Sequence, residues 1–170
     1  CDGLLHLAFA GVDVSATIRV ETRPSYLVMS VESVDGEGVQ ELALVDMPLD
    51  LDGDTGEPFA ACALALNLQT NVVELPGPNA RLRAVCYPRF GFVGASVALI
   101  GCPQSELRSV MKQVLAEAPD LPHSPVGGPW ALDEPKNLGS YLFNFGLTEE
   151  AVDDWIATAK ALGFEQIDFH

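Results

Sequence analysis

The sequence predicts a mainly β protein with α: an antiparallel β-sandwich with a covering helix, followed by a βαβ unit. Three observations carry this. Up to Cys102, apolar residues recur at alternate positions and Gly/Pro turns separate the runs, as in half-buried antiparallel strands. Leu107, Val110, Met111, Val114, Leu115 and Ala118 then recur at helical spacing. Beyond a Pro/Gly-rich stretch comes a single strand–helix–strand pattern.

In chain order, His6 alternates with Leu5 and Leu7 and reads as a strand-surface residue. Val14, Ala16, Ile18 and Val20 alternate with Ser15, Thr17, Arg19 and Glu21, which defines a half-buried strand. Arg23-Pro24-Ser25 breaks it, and Leu27, Met29 and Val31 begin the next. Asp35-Gly36-Glu37-Gly38 is a turn signal. Residues 42–51 continue as a strand in which Pro48 marks an edge or a bulge. Further strands are expected over 59–68, 80–87 and 95–102, with turns at 52–54 and 76–79. The helix is expected to start near Pro103, where no N–H is needed, and to stop at Pro119.

Residues 120–138 hold Pro122, Pro125, Gly127, Gly128, Pro129 and Pro135, which argues against regular structure and suits a connector. The expected division is therefore 1–119, 120–138 and 139–170. Residues 140–145 read as a strand. Thr148 is a good N-cap, and Glu149 and Glu150 favour the positive end of a helix dipole. Val152, Trp155, Ile156, Ala159 and Leu162 form the apolar stripe, and Gly163 suits the C′ position. Residues 164–169 follow as a parallel strand. An isolated βαβ unit cannot cover its own sheet, so more strands and helices are expected outside this sequence.

The 170 residues suit one domain plus a fragment of a second. Hydrophobic residues make up 48% and charged ones 19%, which excludes wholesale disorder. The 24 acids against 9 bases leave a formal charge of −15. That balance repels phosphate backbones and anionic lipid, so neither nucleic acid nor a membrane surface is an expected partner. A neutral sugar meets no such penalty. Cys1, Cys62, Cys86 and Cys102 form no C-x-x-C pair. The last three lie in apolar runs and read as buried free thiols, with a disulfide among them left open. The chain begins at Cys1-Asp2, and its last residues read as a strand in mid-course. It is expected to be an excerpt of a longer protein, so the absence of a signal peptide decides nothing about location.

Residues 125–132 (Pro-Val-Gly-Gly-Pro-Trp-Ala-Leu), 139–143 (Gly-Ser-Tyr-Leu-Phe), 147–155 and 163–170 (Gly-Phe-Glu-Gln-Ile-Asp-Phe-His) together resemble the opening of the barrel in α-galactosidase-like glycoside hydrolases. Residues 91–101 and the helix after them look like the end of the sandwich that precedes it. The motif-bearing part covers the last stretch of the chain; the rest matches in architecture alone. Better-known members carry Gly-Trp-Asn-Ser-Trp at the first barrel strand and Asp-Asp-Gly-Trp at the second, where this chain has Ser140-Tyr141-Leu142-Phe143 and Ile167-Asp168-Phe169-His170. The resemblance implies an antiparallel β-sandwich followed by a βαβ unit that begins a truncated (β/α) barrel. It implies a carbohydrate-active parent whose nucleophile and acid/base lie on later strands, no cofactor, and a secreted or periplasmic setting. The fragment alone is then expected to be inactive and to self-associate through the exposed barrel edge.

Three residues are candidates for the sugar site. Asp168 and His170 share one face of the final strand near its carboxyl end, the end that faces the active site in a barrel. Asp168 would accept hydrogen bonds from sugar hydroxyls and His170 would assist; the competing reading is a strand end left in solvent or a structural polar pair. Trp130 offers an aromatic platform, though a plug between domains is favoured for so large a side chain. Residues 50–54 look like a Ca²⁺ loop, but Thr55 stands where an EF-hand needs Gly and Ala61 where it needs Glu. Gly91-Phe92-Val93-Gly94 precedes its strand and so cannot be a dinucleotide fingerprint. The alternative function is a stand-alone carbohydrate-binding or structural interaction module. Tyr26 and Tyr87 are its only plausible exposed aromatics, and the scattered acids make no patch.

Overall fold

The computed structural model describes residues 3–49, 56, 58–74, 81–125, 127, 128, 130 and 133–169. Its contacts divide the chain into two units, Cys1–Pro122 and His123–His170. It is mainly β, with two α-helices among the described residues. The first unit holds strands β1 (Gly3–Ala8), β2 (Ser15–Thr22), β3 (Tyr26–Asp35), β4 (Leu42–Pro48), β5 (Phe59–Ala65), β6 (Thr70–Glu74), β7 (Arg81–Cys86) and β8 (Ser96–Pro103), then helix α1 (Leu107–Ala116). The second holds β9 (Tyr141–Asn144), α2 (Val152–Leu162) and β10 (Gln166–Phe169).

Two antiparallel sheets build the first unit, ordered β1-β2-β3-β8-β5 and β4-β7-β6. Their alternating residues meet in one core: Ala16, Ile18, Val31 and Val97 from the larger sheet with Leu42, Leu44, Leu82, Ala84 and Cys86 from the smaller. The other face of the larger sheet lies under α1. There Tyr26, Cys62, Ala98, Ile100 and Cys102 pack with Val110 and Val114. Strand β8 therefore sends odd-numbered side chains into one core and even-numbered ones into the other. This is why residues 97–102 read as a continuous apolar run, not as an alternation.

Pro48 sits on an edge strand, and the β4–β7 register shifts between Ala43 and Val45. Edge and bulge occur together there, and Leu44 is still buried. The shift between Thr17 and Ile18 on the β2–β3 ladder passes over Glu32, whose carboxylate pairs with Arg19 at 2.5 Å. Gly36 has φ +108, and a Cβ there would come within 2.4 Å of the Asp13 carbonyl oxygen. The 35–38 turn thus needs glycine both for its dihedral and for its close approach.

Several expectations are corrected. Pro103 does not open the helix. The Gln104 N–H donates to the Pro58 carbonyl at 2.8 Å, so the β5–β8 pairing runs through Pro103 and α1 starts at Leu107. Strand β5 ends at Ala65, because Asn67 to Thr70 form a polar turn. There Asn67 donates to the Gly94 carbonyl at 2.7 Å, and Gln69 reaches the carbonyls of Phe90 and Val93 at 3.0 and 3.2 Å. Strand β6 has no counterpart among the expected elements, being a short edge segment. A 3-10 turn, Pro135–Leu138, begins at the Pro135 ring within the expected connector. The turns at 52–54 and 76–79 lie outside the described residues.

Tyr26 is also corrected: it is only 6% exposed. Its hydroxyl donates to the Glu117 carboxylate just beyond α1. Burial, then the bond to this carboxylate, pushes the phenol up to about 12. The same bond, with one from Gln113, holds Glu117 below the usual carboxylate range. In the unfolded chain Tyr26 ionises near pH ~10. From there to about 12 the folded state holds a proton that the unfolded state has lost. This contribution is complete below pH ~10 and fades as the pH rises. Tyr26→Phe removes it, so urea midpoints of the two proteins, compared from about pH 9 to about pH 12, should converge with rising pH; a constant gap overturns the assignment.

Candidate functional site

In the second unit, β9 and β10 are parallel and adjacent, with Asp168 opposite Phe143 and Ile167 opposite Leu142. Opposed residues of a parallel pair share a face. One face therefore carries Tyr141, Phe143, Gln166 and Asp168, and the other Leu142, Asn144, Ile167 and Phe169. Tyr141 and Phe143 are 55% and 43% exposed, and Asp168 is exposed beside them. Phe143 meets Phe145 edge to face, with ring centroids 4.8 Å apart. Both strands run the same way, so Phe143 and Asp168 lie toward their carboxyl ends.

Helix α2 aligns β10 through its ends. Thr148 occupies the expected cap position but makes no side-chain cap bond. Its hydroxyl turns to Glu150, and that bond, after one from the Glu150 backbone, lowers the Glu150 carboxyl from its usual range. The first turn is accordingly 3-10, and α2 begins at Val152. Gly163 has φ +78. The Phe164 N–H reaches the Ala159 carbonyl at 2.9 Å and the Gly163 N–H that of Lys160 at 3.2 Å, a full Schellman stop. Glu165 N–H then donates to the Ser140 carbonyl at 3.1 Å, starting the parallel ladder. Of the expected helix stripe, Ala159 is buried and Val152 and Trp155 are half-buried, while Ile156 and Leu162 are 39% and 66% exposed.

The three sugar-site candidates are not all assembled. Asp168 lies on the aromatic face, His170 lies outside the described residues, and Trp130 sits in the turn before the 3-10 segment. Trp130 is half-buried, its indole nitrogen is shielded from solvent, and its carbonyl accepts the Asp133 N–H at 3.4 Å. Glycosidic cleavage needs two carboxylates about 5–9 Å apart across the bond. Among the described residues of β9 and β10, Asp168 is the only carboxylate on this face, so no acid/base pair is assembled on it.

Asn144 was missed. Its side-chain Nδ2 is buried without a hydrogen-bond partner among the described residues. The signal was available: Asn144 falls on the Leu142 side of the alternation, where an apolar residue belongs. Such an unmet donor costs about 1–3 kcal/mol. Asn144→Leu should stabilise the second unit by about that amount, read as slower hydrogen exchange at β9 and β10 amides; unchanged exchange would mean that the amide is satisfied in solution.

Two concavities lie among the described residues of the first unit. One, of about 620 Å³, is lined by Phe9, Val12, Val14, Val34 and the turn 36–41. The other, of about 420 Å³, lies between Glu32, Asn67, Val93 and residues 117–120. No group of three or more His, Cys, Asp or Glu suited to a metal occurs among the described residues, and the acidic turn 50–54 falls outside them. Cys62, Cys86 and Cys102 are buried free thiols. Burial, then neighbouring Cys102, pushes the Cys62 thiol up to about 11. Burial, then Glu41, does the same for Cys86, whose Sγ–H donates to the Leu42 carbonyl at 3.6 Å. Burial, then Glu106, raises Cys102. Thiols held protonated are poor nucleophiles. Iodoacetamide at about pH 8 should spare all three in the folded protein and alkylate all three in urea; fast native labelling of Cys62 would show α1 opening.

Family models, curated proteins and solved structures yield no match to this chain. The class of protein is that of its fold: mainly β, with two antiparallel sheets, two α-helices and a parallel βαβ unit among the described residues.

Proposed function

We propose that the chain is the non-catalytic N-terminal portion of a carbohydrate-active enzyme, an α-galactosidase-like glycoside hydrolase. The two antiparallel sheets with their shared core are a β-sandwich that supports the barrel, and residues 139–170 are the first βαβ unit of that barrel. The observation that carries the reading is the uncovered face of the second unit. Tyr141, Phe143 and Asp168 stand exposed on a parallel strand pair, and parallel strands belong in sheets covered on both faces. Aromatic rings beside a carboxylate suit a sugar, whose C–H faces stack while its hydroxyls donate. Asp168 would take those hydroxyl bonds, with His170 assisting and Trp130 forming a plug or one wall of the pocket. The acid/base pair that the face lacks would come from later strands. Alone, the open edge favours pairing with another copy.

Tyr26 is buried and Tyr87 half-buried, so neither supports a stand-alone sugar-binding sandwich. Nitrophenyl glycosides offered to these 170 residues should not be hydrolysed, whereas the full-length parent should cleave an α-glycoside. In that parent, Asp168→Asn should raise KM by roughly tenfold, the worth of one hydrogen bond to a charged group. Hydrolysis by the fragment alone, or an inactive parent, overturns the proposal.

A further inference from the structure

Strand β1 is an edge of the larger sheet and is bonded to β2 alone among the described strands. All six of its residues are exposed. On β2, Ile18 and Ala16 are buried in the core, yet Leu5 and Leu7 stand opposite them on the same face and are 47% and 37% exposed. Leu4, on the other face, is 48% exposed. The smaller sheet is seated away from this edge. Strand β4 packs near β3, and β6 and β7 near β5, two to four strands further into the larger sheet. Strand β5, the opposite edge, is buried or half-buried from Ala60 to Ala65.

An edge strand presents a row of backbone groups to any strand that comes beside it, and proteins guard such edges with a charge, a proline or a bulge. Strand β1 has none of these. Gly3-Leu4-Leu5-His6-Leu7-Ala8 contains no Asp, Glu, Lys, Arg or Pro, and its ladder with β2 runs without a register shift. The chain as a whole has a formal charge of −15, so copies of it repel one another. An uncharged strand edge is where two copies meet at least cost.

The strand is also complementary to itself. Two antiparallel copies in one continuous sheet oppose residues of the same face. A two-fold axis at His6 puts Leu5 opposite Leu7 of the second copy, Leu4 opposite Ala8 and Gly3 opposite Phe9. Phe9 is 40% exposed, and the space at Gly3 is open, because a Cβ there would meet no atom within 4 Å. Leucine thus faces leucine, and each other large apolar side chain faces a small residue. On the opposite face His6, bonded to the Thr17 hydroxyl at 3.1 Å, faces its own copy.

We propose that β1 is a dimerisation edge, at which two copies of this chain pair antiparallel about a two-fold axis at His6. Their larger sheets, of five strands each, join into one. Leu5 and Leu7 then cover Leu7 and Leu5 of the second copy. The contact is a single strand pair, at the small end of specific interfaces, so the dimer dissociates on dilution. It belongs to the first unit and does not rest on the sugar-face reading.

Sedimentation of the whole chain from micromolar to millimolar concentration should show a monomer–dimer equilibrium. Added salt should tighten it by screening the repulsion between copies. Hydrogen exchange at β1 amides should slow as the concentration rises, while β9 and β10 amides report separately on any pairing through the second unit. His6→Lys and His6→Glu each place like charges directly opposite one another, and each should weaken the dimer roughly tenfold. Mixed together, the two variants should regain the lost affinity as a heterodimer, because opposite charges then face each other. His6→Gln, which adds no charge, should dimerise as the unaltered chain does. His6 is exposed, and unchanged circular dichroism spectra certify the fold of the variants. Three results overturn the proposal. One is sedimentation that does not depend on concentration. Another is association that leaves β1 exchange unaltered. The third is a His6→Lys chain that dimerises as tightly as the unaltered one.

Discussion

Because Val97 and Leu99 enter one core while Ala98, Ile100 and Cys102 enter the other, β8 has no face left for water. Every neighbour is placed by the need to cover it. On one side the smaller sheet supplies Leu42, Leu82, Ala84 and Cys86; on the other α1 supplies Val110 and Val114. Its pairing with β3 and β5 satisfies the backbone groups that such burial strands from solvent. The turn at 90–96 that delivers the chain into β8 is held by Asn67, Gln69 and Thr70. Thr70 Oγ accepts the Ser96 N–H at 2.8 Å and is itself bonded to Asn67. A polar turn before β6 thus fixes the start of β8.

Burial of this kind also sets the state of the polar and titratable groups in the core of the first unit. Three cysteines sit where small apolar side chains are required, and low polarity keeps their thiols protonated. The hydroxyl of Tyr26 reaches a carboxylate because a phenol can carry its polar tip out of an apolar layer. These groups pack within the core of the first unit. Exposed chemistry is found instead at strand ends and sheet edges.

How much was legible in the sequence follows from the same physics. Strands with one wet face were readable, because Ala16 and Ile18 point inward and Thr17 and Arg19 outward. Helix α1 was readable from its stripe, but its start was not. Pro103 suits either a helix N-terminus or a strand end, and the bond from Gln104 to Pro58 decides for the strand. Strand β6 was hidden because it is short and lies at an edge, where alternation carries little energy. The polar turn at 67–70 was hidden because its partners are more than twenty positions away, at Phe90 to Gly94. In the candidate site, Asp168 was readable from its place near a strand end. Asn144 was not singled out, since a single polar residue in a short strand is a weak signal until its amide is found without a partner.

The exposed apolar residues divide into two kinds, and the division matters for what the molecule does. Leu68 and Val93 are widely exposed but stand singly, which is ordinary for a protein surface. Leu5, Leu7 and Phe9 form a continuous array, and so do Tyr141, Phe143 and Phe145; contiguous arrays mark surfaces that meet something else. The second lies on a parallel pair, an arrangement that survives where helices and further strands enclose both faces. A single added strand cannot meet that need, because it would extend the pair without roofing it. The exposed Tyr141 and Phe143 thus lie on the kind of strand pair whose faces proteins ordinarily enclose.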